Sequence, residues 1–107
     1  MLNLDDLNPE QHNQLEKAHR FLQLLGQSER NIVTLAVEGY SDQKIALRLC
    51  ISEHTVRRHV ENIQNKTPSI YGRKLKFRQQ LVPALAPYLF LCQDMVQNWA
   101  LQLDNDA

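Results

Sequence analysis

The stretch SDQKIALRLCISEHTVRRHVENIQNK, residues 41–66, decides how the rest of the chain is read. Ser41 is a strong helix N-cap, Asp42 suits the positive end of the helix that follows, and Ile45, Ala46 and Leu49 give that short helix one apolar side. Ser52, three residues beyond Leu49, is a second N-cap, and Val56, Val60 and Ile63 recur at the i, i+4, i+7 spacing. Two helices therefore meet across a tight turn. At about 100° per residue, the apolar stripe of the second leaves His54, Arg58, Glu61 and Asn65 on the opposite face, flanked by Thr55, Arg57 and Asn62.

Upstream, Asn8, Pro9 and Gln11 read as N-cap, first helical residue and capping-box partner, and Leu15, Ala18, Phe21, Leu22 and Leu25 follow as one apolar side before Gly26. A further helix starts near Gln27 or Ser28, carries Ile32, Val33, Leu35, Ala36 and Val37, and stops at Gly39, a residue suited to the left-handed position past a helix end. Downstream, Thr67, Pro68 and Ser69 break the helix and Ile70-Tyr71-Gly72 reads as a loop. Arg73 to Arg78 fits a strand by alternation or a helix by the Phe77, Leu81 spacing, and the helix is preferred. Pro83 and Pro87 interrupt it, and Tyr88, Cys92, Met95, Trp99 and Leu103 form a last apolar stripe. The expected fold is all-α: a compact helical bundle in a single domain, residues 1–107. It comprises an N-terminal amphipathic helix at 8–26, a helix-turn-helix core at 27–67, a basic connector or fourth helix at 68–82, and a C-terminal amphipathic helix at 83–104.

Composition limits the alternatives. The chain of 107 residues has 43% apolar and 22% charged residues, which suits a folded globular domain. Its longest apolar run, Tyr88 to Cys92, is far short of a membrane span, and its start is acidic where a secretory signal would be basic, so an intracellular, cytoplasmic protein is expected. Cys50 and Cys92 have neither CxxC nor His spacing, which argues against a zinc site or a disulfide scaffold. The formal charge of +0 conceals an asymmetry: residues 44–78 hold nine Lys and Arg against two Glu, whereas residues 1–43 and 79–107 are net acidic. Such a basic segment is the pattern of a surface that faces a polyanion.

A short helix, a tight turn and a second helix with a polar outer face make a helix-turn-helix, whose second helix can enter the major groove of double-stranded DNA. Arg57 or Arg58 would pair bidentately with guanine, and Asn62 or Asn65 would read adenine. Lys44, Ser52, His54 and Thr55, at or near the starts of the two helices, lie where phosphates or base edges would be met, and Arg73, Lys74 and Lys76 are candidates for further phosphate contacts.

These residues resemble a known family. Leu35, Glu38-Gly39, Ser41, Lys44-Ile45-Ala46, Leu49, Ile51-Ser52, Thr55-Val56, His59-Val60, Asn62-Ile63 and Lys66 are similar to the LuxR/FixJ-type, GerE-like helix-turn-helix of bacterial transcription regulators. The resemblance spans Glu29 to Lys66 and implies a recognition helix over about Glu53 to Lys66, Arg57 and Arg58 at base-facing positions, Thr55 and Lys66 near phosphates, and a homodimer on inverted repeats. The chain departs from the family in four places. Gly26-Gln27-Ser28 replaces Thr-x-Arg before Glu29, Cys50 replaces the turn glycine, Glu61 stands where a basic or small residue is usual, and Thr67-Pro68-Ser69 replaces Leu-Gly-Val. About 25 residues precede the motif, against the roughly 100 that a receiver or sensor domain needs, so a stand-alone, nucleoid-associated member is expected.

Plain readings stand beside these. His59 at the stripe edge reads as a packed histidine before a metal ligand, and the cysteines as fillers before redox switches. Tyr88, Cys92, Met95 and Trp99 serve either this chain's own core or, as preferred, a dimer interface. The rival function is a helix-turn-helix that docks on protein, similar to sigma-factor region 4 or an adaptor, with RNA polymerase or another regulator as partner. No phosphate loop, metal-spaced cluster or Ser/His/Asp arrangement points to an enzyme, and no cofactor is expected.

Overall fold

The computed structural model describes residues 6–89 and residue 91. Helix α1, Pro9–Gln23, starts on the expected reciprocal cap: Asn8 Oδ1 accepts from the Gln11 N–H at 2.8 Å and Gln11 Oε1 accepts from the Asn8 N–H at 2.9 Å. Helix α2 is Gln27–Val37, α3 is Asp42–Leu49 and α4 is Glu53–Lys66. Ser41 and Ser52 cap α3 and α4 through the N–H groups of Lys44 and Thr55, as expected of these residue types. Gly39 follows α2 with φ +98°, a conformation for which glycine has no steric cost.

The fold is an all-α bundle, and among the described residues there is no strand. Helix α2 is its centre. It packs on α3, on α4 and on a short helix later in the chain, and its Ile32 and Val33 are fully buried. Helix α1 adds Ala18 and Phe21 to the core, also fully buried, and the Phe21 ring meets that of Tyr71 at 5.9 Å. Val56 and Ile63 anchor α4 from within, with Val60 half-buried beside them, so the sequence stripe is the inner face of this helix.

The structure refines four readings. Helix α1 does not run to Gly26: it ends at Gln23 with Leu24 as its C-cap in αR geometry, and Gly26, at φ −74°, is the N-cap of α2. Thr67-Pro68-Ser69 ends α4 at Lys66 as read, but Thr67 stays in αR and a short helix α5, Pro68–Tyr71, follows at once, with Pro68 in its first turn. The loop read at residues 70–72 starts later: Ile70 and Tyr71 belong to α5, and Gly72, at φ +77°, ends it and opens a non-helical stretch over residues 72–76. The basic run is not one helix: residues 74–76 are non-helical, Lys76 is extended, and helical structure resumes at Phe77.

It resumes as a π-helical turn, Phe77–Leu81, that runs into α6, Val82–Leu85. The Leu81 and Val82 N–H groups donate to Lys76 and Phe77 respectively, five residues back. Pro83 has no N–H to continue a ladder, and it sits in the first turn of α6, where none is needed. The chain then turns at residues 86–88, so the helix expected over 83–104 is broken early. Tyr88 and Leu89 are buried in this chain's own core; Cys92, Met95, Trp99 and Leu103 lie outside the described residues.

Candidate nucleic-acid interface

The turn between α3 and α4 sets the pose of the outward helix. Cys50 ends α3 at φ 58°, ψ 43°, a left-handed conformation that favours glycine and is held here by a residue with a side chain. Its N–H approaches the Leu47 carbonyl at 3.4 Å, and the Ile51 N–H donates to Ala46. One turn on, the Ser52 and Thr55 hydroxyls lie 2.9 Å apart, which fixes both at the start of α4.

On α4, His54, Arg57, Arg58, Glu61, Asn62 and Asn65 are exposed, and Thr55 is half-buried at the flank. The structure thus brings the candidate base readers to one helix face, as the periodicity requires. It also distributes their charges in a way the sequence did not show. Arg57 Nη2 lies 3.1 Å from Glu53 Oε2, one turn back. Lys74 Nζ lies 2.9 Å from Glu61 Oε1, while Glu61 Oε2 accepts from Gln64 at 3.1 Å. The ion-pair partner of Glu61 is thus Lys74, thirteen residues away.

Lys66 differs most from its expected place near phosphate. Its ammonium donates to Glu29 Oε1 at 2.7 Å and to the Leu24 carbonyl at 3.3 Å, which ties the end of α4 to the start of α2. Glu29 is buried, and its other donor is the Gly26 N–H at 3.1 Å. Burial alone would raise the Glu29 carboxyl. The hydrogen bond from Lys66, the Gly26 N–H and the charges of Lys66 and His59 outweigh it, and the carboxyl sits below its ordinary value. Glu29 thus supplies the half of a capping box that closes on the Gly26 N–H, while glycine has no side chain for the other half. His59 is half-buried, beside the Glu29–Lys66 pair in its electrostatic effect.

Arg78 and Asp42 make a fourth pair at 2.6 Å, joining the π-helical turn to the start of α3. Of the nine cations in residues 44–78, four are thus matched to carboxylates. Lys44, Arg48, Arg58, Arg73 and Lys76 are exposed and have no carboxylate within ion-pair distance among the described residues. Arg48 was missed by sequence reasoning, although it lies four residues after Lys44 and so on the same face of α3. Its guanidinium lies over the Tyr40 ring, 5.6 Å from the centroid. Leu47, 74% exposed, shares that outer surface.

Among the described residues no helix is long and apolar enough to cross a membrane. The family model described as GerE, bacterial regulatory proteins of the luxR family, matches residues 23–67. That span runs from the last residue of α1 through α2, α3 and α4 to Thr67. No curated protein and no solved structure matches the chain.

Proposed function

Taking residues 23–67 as a LuxR-family helix-turn-helix domain, we propose that the protein is a sequence-specific DNA-binding transcriptional regulator that lays α4 in the major groove. The observation that carries this reading is an outward face on α4 with Arg58 exposed and unmatched by any described carboxylate, inside the segment that the family model covers. Arg58 takes a guanine edge, and Arg57 joins it by leaving Glu53. Asn62 and Asn65 reach for adenine, with His54 at the leading end of the same face. Ser52, Thr55 and Lys44 meet phosphates at the helix starts, and Arg73 and Lys76 extend that contact. Lys66 acts differently from its first assignment: it positions α4 through Glu29.

The protein works in the cytoplasm at the nucleoid, as a homodimer. The support for the dimer is the apolar stripe of Cys92, Met95 and Trp99 in the sequence; Tyr88 serves this chain's own core. Fluorescence anisotropy of a labelled genomic-fragment pool tests the reading, with wild type and Arg57→Ala/Arg58→Ala at about 50 and about 200 mM salt. Binding that weakens with salt and is lost in the double variant, with helicity unchanged by circular dichroism, is the expected result. No binding by the wild type at either salt overturns it and transfers the role to docking on protein.

A further inference from the structure

One group on the outer face of α4 does not fit a surface that meets only phosphates. Glu61 is exposed at about the same angle around the helix as His54, Arg58 and Asn65, and a carboxylate can only accept hydrogen bonds. Phosphate oxygens are acceptors too, so a phosphate there would be repelled. The carboxylate is nonetheless held. Lys74 donates to Oε1 at 2.9 Å and Gln64 donates to Oε2 at 3.1 Å. Gln64 is itself fixed, because its own carbonyl oxygen accepts from the Phe77 N–H at 2.8 Å, which turns its amide nitrogen towards Glu61. A half-buried glutamine and a basic connector thus fix an acceptor on the face that Arg58 shares.

We infer that Glu61 is a specificity-determining residue that accepts a hydrogen bond from the N4 amino group of a cytosine in the major groove. This rests on the proposed DNA-binding role of α4. The choice of base follows from the groove chemistry. Guanine and thymine offer only acceptors and a methyl group there, and adenine sets its N7 acceptor beside its amino group, so a carboxylate is repelled or half-repelled by all three. Cytosine offers a donor with no acceptor beside it. Lys74 offsets the charge of Glu61 as the helix nears the backbone. Both partners are exposed, so the carboxylate can be reached from the groove while Lys74 stays on it.

The test is selection from a randomised duplex library with wild type, Glu61→Gln and Glu61→Ala, each checked for wild-type helicity and melting. The wild type is expected to select C·G at one position by roughly tenfold over the other pairs, within the discrimination usual for such a contact. Glu61→Gln is expected to lose that preference and gain adenine there, since an amide can donate to N7 and accept from N6, and Glu61→Ala to lose it with no gain. The preference at the guanine read by Arg58 stays unchanged in both variants. Identical base preferences in all three proteins, with only overall affinity altered, overturn the inference and leave the DNA-binding reading intact. Failure of the wild type to enrich any sequence overturns both.

Discussion

Thr67 shows how much one side chain decides at the end of α4. It is fully buried, its hydroxyl donates to the Gln64 carbonyl at 2.6 Å, and the same oxygen accepts from the buried Leu75 N–H at 2.9 Å. Thr67→Val keeps the shape and removes both bonds, which leaves a buried donor unmet; urea unfolding should show a loss of about 1–3 kcal/mol. Cys50 poses the opposite case, a residue whose backbone is unfavourable for its type. At φ 58° a β-branched side chain is penalised further, so Cys50→Val should cost about 1–2 kcal/mol more than the cysteine already does. Cys50→Gly should gain from a few tenths to about 1 kcal/mol, because the strain relieved exceeds the entropy that glycine adds to the unfolded chain. Melting of the two variants under one condition gives the order directly.

Between elements, the Glu29–Lys66 pair joins the start of α2 to the end of α4 across 37 residues of chain. Glu29→Gln should destabilise by about 1–3 kcal/mol at pH 7, measured by urea denaturation, since it leaves Lys66 without its charged partner. The Glu29 carboxyl is depressed when folded, so the stabilisation is fully present above its unfolded value near 4.5 and fades as pH falls through the lower folded value. The gap between wild type and variant should therefore close in acid, and a gap that stays constant down to pH 3 would show that the charge is not the cause. Elements of this kind separate what the sequence could show from what it could not. Caps at Asn8, Ser41 and Ser52, and the stop at Gly39, involve partners within a few residues, so local chemistry sufficed to place α1 to α4. Thr67 and Pro68 looked like breakers because proline there forbids a longer α4; what was hidden is that Thr67 has a distant backbone partner and that Pro68 can open a new helix. Likewise the outward face of α4 was legible from a 3.6-residue period, while the partners of Lys66, Lys74 and Arg78 depend on how helices pack and have no local signature. Arg57 and Arg58 were indistinguishable by spacing. The structure separates them, because Arg57 must give up Glu53 to reach a base. Arg58→Ala should thus cost about 1–3 kcal/mol in affinity and Arg57→Ala less, read by anisotropy on a selected duplex.

For the whole molecule, the decisive quantity is how much of the basic segment remains to face a polyanion. Nine cations lie in residues 44–78, but Arg57, Lys66, Lys74 and Arg78 already face carboxylates, and Arg78 and Lys66 join elements that the fold needs together. Five remain without a described carboxylate: Lys44, Arg48, Arg58, Arg73 and Lys76. Each phosphate neutralised releases about 0.9 of a counterion, so nine contacts would give a slope of log K against log salt near −8 per chain, and five would give about −4.5. The lower figure is expected, and slightly less again where Arg58 spends its charge on a base in place of a phosphate. Lys44→Met and Lys76→Met should each reduce the slope by about one without changing which sequence is preferred. A slope close to −8 would mean that all four ion pairs open on DNA. Lys66 would then have to leave Glu29, and the Glu29→Gln variant, with no such bond to break, would bind more tightly than wild type. Equal or weaker binding by Glu29→Gln, together with a slope near −4.5, would place the pair among the contacts that hold α4 in its pose while the five exposed cations meet the backbone.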